Sequence, residues 1–86
     1  MSEQKVGTVS HYFGKIGVAA IDLAEGELHV GDTIHIKGHT SDFTQHVDSM
    51  QLEHDQVEDA HPGESIGIKV AEHAREHDEV FVVTAD

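Results

Sequence analysis

The sequence predicts an all-β domain of six short antiparallel strands closed into a barrel, and three observations carry that prediction. Apolar and polar residues alternate almost throughout, the period of a strand with one buried face. Glycine-rich or proline-glycine turn signals recur at roughly ten-residue spacing. Only the stretch 70–78 offers any helical pattern, and it is shorter than a typical helix. Closure into a barrel removes the exposed edges that a sheet of an 86-residue chain otherwise presents.

The first strand is expected over 5–13 (KVGTVSHYF), with Gly7, Val9, His11 and Phe13 on one face and Val6, Thr8, Ser10 and Tyr12 on the other. GKIG at 14–17 is hairpin punctuation, and 18–23 supplies a second strand in which Ala19, Ile21 and Leu23 share a face. Ala24, Glu25 and Gly26 break the run, and Leu28 and Val30 follow as a short buried-loop pair. Gly31 and Asp32 make a turn: the glycine accepts a positive φ and the aspartate caps nearby amides. The third strand, 32–38, turns Ile34 and Ile36 inward and Thr33, His35 and Lys37 outward.

The fourth and longest strand is expected over 42–54. Phe43, Gln45 and Val47 share one parity and Met50 and Leu52 the other, which a bulge near Asp48 and Ser49 reconciles. Pro62 and Gly63 occupy the two central positions of a type II turn. Ile66, Ile68 and Val70 line a fifth strand, Gly67 between them leaves room for a close neighbour, and EVFVVT at 79–84 forms the sixth. The whole chain, 1–86, reads as one domain with an ordered core at about 5–84 and loose ends at 1–4 and 85–86.

Composition narrows the function classes. Five Lys and Arg against 17 Asp and Glu give a net charge of −12, which opposes autonomous contact with phosphate backbones. The absence of cysteine removes disulfides, thiol catalysis and iron–sulfur ligation from this chain. MSEQKVGTVS has no apolar core behind a basic start, and no run of about 18 apolar residues occurs, so the expected setting is cytoplasmic and away from membranes.

Nine histidines stand out: His11, His29, His35, His39, His46, His54, His61, His73 and His77. His73-Ala74-Arg75-Glu76-His77 matches the H-x-x-E-H zinc-protease pattern, but that chemistry needs a helix and a further ligand downstream, and the string falls in an expected loop. His35 and Lys37 face outward with His39 beyond them, a set that metal could recruit. Asp55, Glu58, Asp59 and Glu64 form an acidic rim without the spacing of a calcium loop. Ser10 and Ser65 carry hydroxyls, but no spacing places a base beside either. No catalytic, cofactor-binding or metal-ligating residue is therefore assigned, and no cofactor is expected. Tyr12, Phe13 and Phe81 are aromatic candidates for a docking face, with Phe13 expected in the core.

Residues 6–83 resemble the second domain of translation GTPases such as elongation factor Tu and initiation factor two. GTVSHYF followed by GVAAIDL is similar to that domain's opening hairpin. LAEGELHVGDTIHIKG at 23–38 resembles its aliphatic, glycine, leucine, Gly-Asp stretch, and DFTQHVDSMQLEHDQVEDAHPGESIGIKV at 42–70 resembles its third block. The resemblance implies a six-stranded Greek-key barrel. His77-Asp78 stands where the relatives carry Gly-Asp, which puts the form of the last turn in question.

Those relatives owe their activity to a nucleotide-binding domain. Here Gly14-Lys15 has Val9 and Ile16 where a phosphate loop needs glycine and a hydroxyl, so GTP hydrolysis is not expected. The resemblance implies a binding module rather than an enzyme, docking on a protein or ribonucleoprotein partner, with the oligomeric state open. The alternative is a small His-rich metal- or ligand-binding protein. Similar small barrels also occur fused to the carboxyl end of collagenase-like peptidase-family proteins, which is compatible with a detached accessory barrel serving another enzyme.

Overall fold

The computed structural model describes residues 2–84. They form β1 (Ser2–Phe13), β2 (Val18–Leu23), β3 (Leu28–His29), β4 (Thr33–Lys37), β5 (Asp42–His46), β6 (Met50–Leu52), β7 (Asp55–Val57), β8 (Asp59–Ala60), β9 (Ser65–Lys69) and β10 (Glu79–Thr84), with no helix among them. Eight strands make one sheet in the order β5-β4-β10-β1-β2-β9-β6-β7, and β3 pairs with β8 apart from it. Every pairing is antiparallel.

The all-β, antiparallel class is thus present, but the closed six-stranded barrel is not. Among the described residues β5 and β7 end the sheet, and no backbone ladder joins them. The free side of β5 instead meets the end of β9 and the residues after it through the side chain of Gln45. Gln45 Nε2 donates to the Lys69 carbonyl at 2.9 Å, and Gln45 Oε1 accepts from the Ala71 amide at 2.7 Å.

Alternation explains the clean elements. Ile34 and Ile36 of β4, Ala19 and Ile21 of β2, and Ile68 of β9 are each at most 1% exposed. Burial of one such isoleucine contributes about 1.5–3 kcal/mol, enough to fix which face of each strand turns inward.

The expected fourth strand is two strands with different partners: β5 pairs with β4, whereas β6 pairs with β7 and β9. The parity change at 47–49 therefore marks the chain's passage from one part of the sheet to another, not a bulge within one strand. β1 departs from its expected pattern as well. Its register with β10 skips Val6, and its register with β2 skips Ser10. Each extra residue reverses the parity beyond it, so Val6 and Val9 are both buried, and after Ser10 it is Tyr12 that turns toward the core. β1 also begins earlier than Lys5: Ser2, Glu3 and Gln4 pair with Thr84, Val83 and Val82. The looseness expected at Met1, Ala85 and Asp86 falls outside the described residues.

The turns carry the chemistry read from sequence. Gly63 has φ 93°, and the Glu64 amide donates to the His61 carbonyl at 3.1 Å, the bond of a type II turn. Gly31 has φ 100°, and Asp32 Oδ2 accepts from the His29 amide at 2.9 Å. His77 takes the left-handed conformation itself, at φ 74°, so the final turn keeps the shape that glycine would give it.

The turn between β6 and β7 is less favourable. Leu52 pairs with Asp55, leaving Glu53 and His54 as a two-residue loop with φ of 51° and 71°. Positive φ at both positions is the type I′ geometry, which favours Asn-Gly. Replacement His54→Gly is expected to raise stability by about 1 kcal/mol; a urea midpoint equal to or below the wild type's contradicts this.

Candidate functional site

The reversal of parity after Ser10 places the aromatic residues differently from expectation. Phe13 is not in the core: it is 46% exposed, with the His11 ring edge against it at a centroid distance of 4.5 Å. Tyr12 packs on the core and stacks on His73 at 4.3 Å. Phe81 is half-buried on the outer face of β10, 6.1 Å from the His35 ring.

Phe13 opens the four-residue loop between β1 and β2, in which Ile16 is 63% exposed. The loop is held by Ile16 and Gly17 amides donating to the Phe13 carbonyl at 3.3 and 2.9 Å, with Gly17 at φ 66°. Phe13, Ile16 and Val18 form one side of a shallow groove on the outer face of the sheet. Its floor is Ala20 of β2 beside its register partner Gly67 of β9. A Cβ on Gly67 would lie 3.3 Å from Val18 Cγ1, tighter than ordinary contact, so the close neighbour predicted at this glycine is the Val18 side chain. Sequence reasoning missed Ile16, having read GKIG as punctuation. The available signal was an isoleucine in a hairpin loop, where polar residues are the norm.

The histidines do not converge on a metal. Among the described residues no group of three or more His, Asp or Glu side chains is placed to hold one. His73 and His77 lie in the non-helical stretch after β9, with His73 held by Tyr12 and His77 in the turn. His46 Nδ1 bonds Thr33 Oγ1 at 3.0 Å. The acidic rim is dispersed: Glu64 Oε1 caps the His61 amide at 2.7 Å, whereas Asp59 lies 3.7 Å from His29, which also faces Glu27 and Asp32. Ser10 Oγ donates to the Ala20 carbonyl and Ser65 Oγ to Asp22 Oδ1.

His35 is the exception in its environment. From β4 it reaches Asp42 Oδ1 on β5 at 2.5 Å through Nε2 and Glu3 Oε2 on β1 at 2.9 Å through Nδ1, with its side chain 16% exposed. Only the doubly protonated ring donates to both carboxylates. The hydrogen bond to Asp42, and then that to Glu3, lift its pKa above the ordinary 6.5 against the opposing pull of partial burial, and the same bond to His35 lowers the pKa of Asp42. The raised pKa stabilises the fold fully below about pH 6.5, and that contribution is lost as pH rises through the folded value. The lowered pKa of Asp42 stabilises above about 3.8, and its contribution is lost as pH falls through the folded value. Thermal unfolding of wild type and His35→Gln is expected to differ most below about pH 6.5 and to converge as pH rises through the folded value. A difference that grows with pH refutes the assignment.

An antiparallel β domain with an apolar groove on its outer face is the class of protein these features define. No protein-family model matches the chain. Over 80 residues, 92% of the chain, it is 39% identical to an uncharacterized protease of Methanocaldococcus jannaschii. Over 77 residues, 88% of the chain, it is 39% identical to a collagenase of Porphyromonas gingivalis. The chain spans about a fifth of the length of these curated relatives, 19% and 21%. Among solved structures, the C-terminal domain of a Geobacillus thermoleovorans protein named for the U32 peptidases has a TM-score of 0.85, with 92% of this chain and 91% of that one covered at 21% identity. The selenomethionine variant of that domain gives 0.84.

These findings correct the functional expectation. The relatives are named protease and collagenase, and the structural likeness is to a U32 peptidase C-terminal domain, not to the second domain of translation GTPases. The reading of the chain as a translation-factor-like binding module rather than an enzyme is overturned with it.

Proposed function

We propose that the chain works in peptide hydrolysis as the β domain of a U32-type peptidase, held against a larger catalytic body. The observation that carries this is the 39% identity to a protease across 92% of the chain. The structural likeness supports it, because the matching fold is a C-terminal domain in a protein of that name. So does relative length: the matched segment is 19–21% of the curated relatives, leaving roughly four-fifths of each for a catalytic body. The partner on this reading is a protein, consistent with a charge of −12 that disfavours nucleic acid.

The test uses the Methanocaldococcus jannaschii protease with the segment matching this chain deleted. Added in trans, the chain is expected to bind that body with 1:1 stoichiometry in calorimetry and to change its rate of cleavage of a fluorogenic peptide. Absence of binding overturns the proposal.

A further inference from the structure

We infer that the groove beneath the β1–β2 loop is where the chain meets that catalytic body, and that it receives an apolar side chain standing on a cationic surface. The inference rests on the peptidase reading for the identity of the partner, and on the groove's own features for the place. Phe13 and Ile16, 46% and 63% exposed, both line the groove, whereas the remaining large exposed hydrophobe among the described residues, Val30, lies outside it. The floor is made by Ala20 and Gly67, residues with almost no side chain, so the depression is shaped to accept a side chain from another surface.

Charge selects the occupant. The chain carries 17 acidic and five basic residues, yet among the described residues the groove is lined by a single carboxylate, Glu53. It is an apolar island in an acidic surface. A second copy of the chain brings another −12 and is repelled, whereas a basic surface is attracted to the acidic surface around the groove, with Lys15 of the β1–β2 loop a cation beside it. The partner feature that fits is therefore an exposed aliphatic or aromatic side chain ringed by Lys or Arg.

The experiment compares wild type, Phe13→Asp, Ile16→Asp and Val30→Asp for binding to the segment-deleted Methanocaldococcus jannaschii protease, with circular dichroism and thermal midpoints confirming that each variant folds. Both groove residues are exposed, so their replacement leaves the core intact. Phe13→Asp and Ile16→Asp are expected to raise Kd at least tenfold, Val30→Asp to leave it within twofold, and the wild-type Kd to rise from 50 mM to 500 mM salt. Wild-type affinity in both groove variants overturns the groove and leaves the peptidase reading standing. No binding by wild type overturns both. Binding that strengthens with salt, or an Ile16-dependent dimer of the chain alone in sedimentation, overturns the cationic partner.

Discussion

Gly7→Ala is expected to destabilise the domain by at least about 3 kcal/mol, a large share of what a chain of this size possesses. Gly7 is buried just past the extra residue Val6 and pairs with Val80 of β10 on one side and Leu23 of β2 on the other. A Cβ there would overlap the Asp22 carbonyl oxygen and come within 3.1 Å of Leu23 Cα. Both obstacles are backbone held in a ladder, so neither can rotate away as a side chain would. The measurement is the urea midpoint of the variant, and a midpoint within 0.2 M of wild type refutes the account.

The second large effect couples Gly38 to Asp78. Asp78 is 3% exposed, its Oδ2 accepts from the Arg75 amide at 2.9 Å, and its backbone carbonyl accepts from the Val9 amide at 2.8 Å. The carboxylate thus organises the turn in which His77 is left-handed. A Cβ on Gly38 would overlap Asp78 Oδ1. Gly38→Ala is expected to cost about 2–4 kcal/mol by forcing that buried carboxylate from its amide partner. Asp78→Ala costs about 1–3 kcal/mol by leaving the Arg75 amide unpaired. In the double variant the two losses are not additive, because the alanine at 38 no longer meets a carboxylate. Additivity across the four-variant cycle, measured by denaturation, removes the proposed contact.

The sequence made most of the strands legible because each has one face in a common core. Ile34 with Ile36 and Ala19 with Ile21 are period-two signals with a single physical reading. The parity change between Val47 and Met50 had two readings, a bulge or a change of partner strand, and alternation is identical in both. At Ser10 the extra residue left no mark in the polarity pattern, so Tyr12 and Phe13 exchanged their expected places. Lineage was harder still. Gly31-Asp32 and Pro62-Gly63 encode backbone conformations that any antiparallel domain with such turns requires, so they reported turn geometry and not ancestry. The groove was half visible: Phe13 was noted as an aromatic candidate but assigned to the core, while Ile16, Ala20 and Gly67 are brought together only by the pairing of β2 with β9 and by the loop that precedes β2.

The amide of Gln45 gives the domain a preferred line of parting. β4 is joined to β5 by a backbone ladder, but the end of β9 and the stretch after it are joined to the β5 segment only by side chains, Gln45 and, just before β5, Ser41, whose Oγ donates to the His73 carbonyl. Releasing that joint breaks three side-chain hydrogen bonds and leaves all strand pairings intact, so it is reached at a lower free energy than an opening that separates strands. Thermal breathing and mechanical strain will therefore part the molecule first along this line, and Ala71, whose amide is tied only to a side chain, will exchange its hydrogen sooner than the amides inside the ladders.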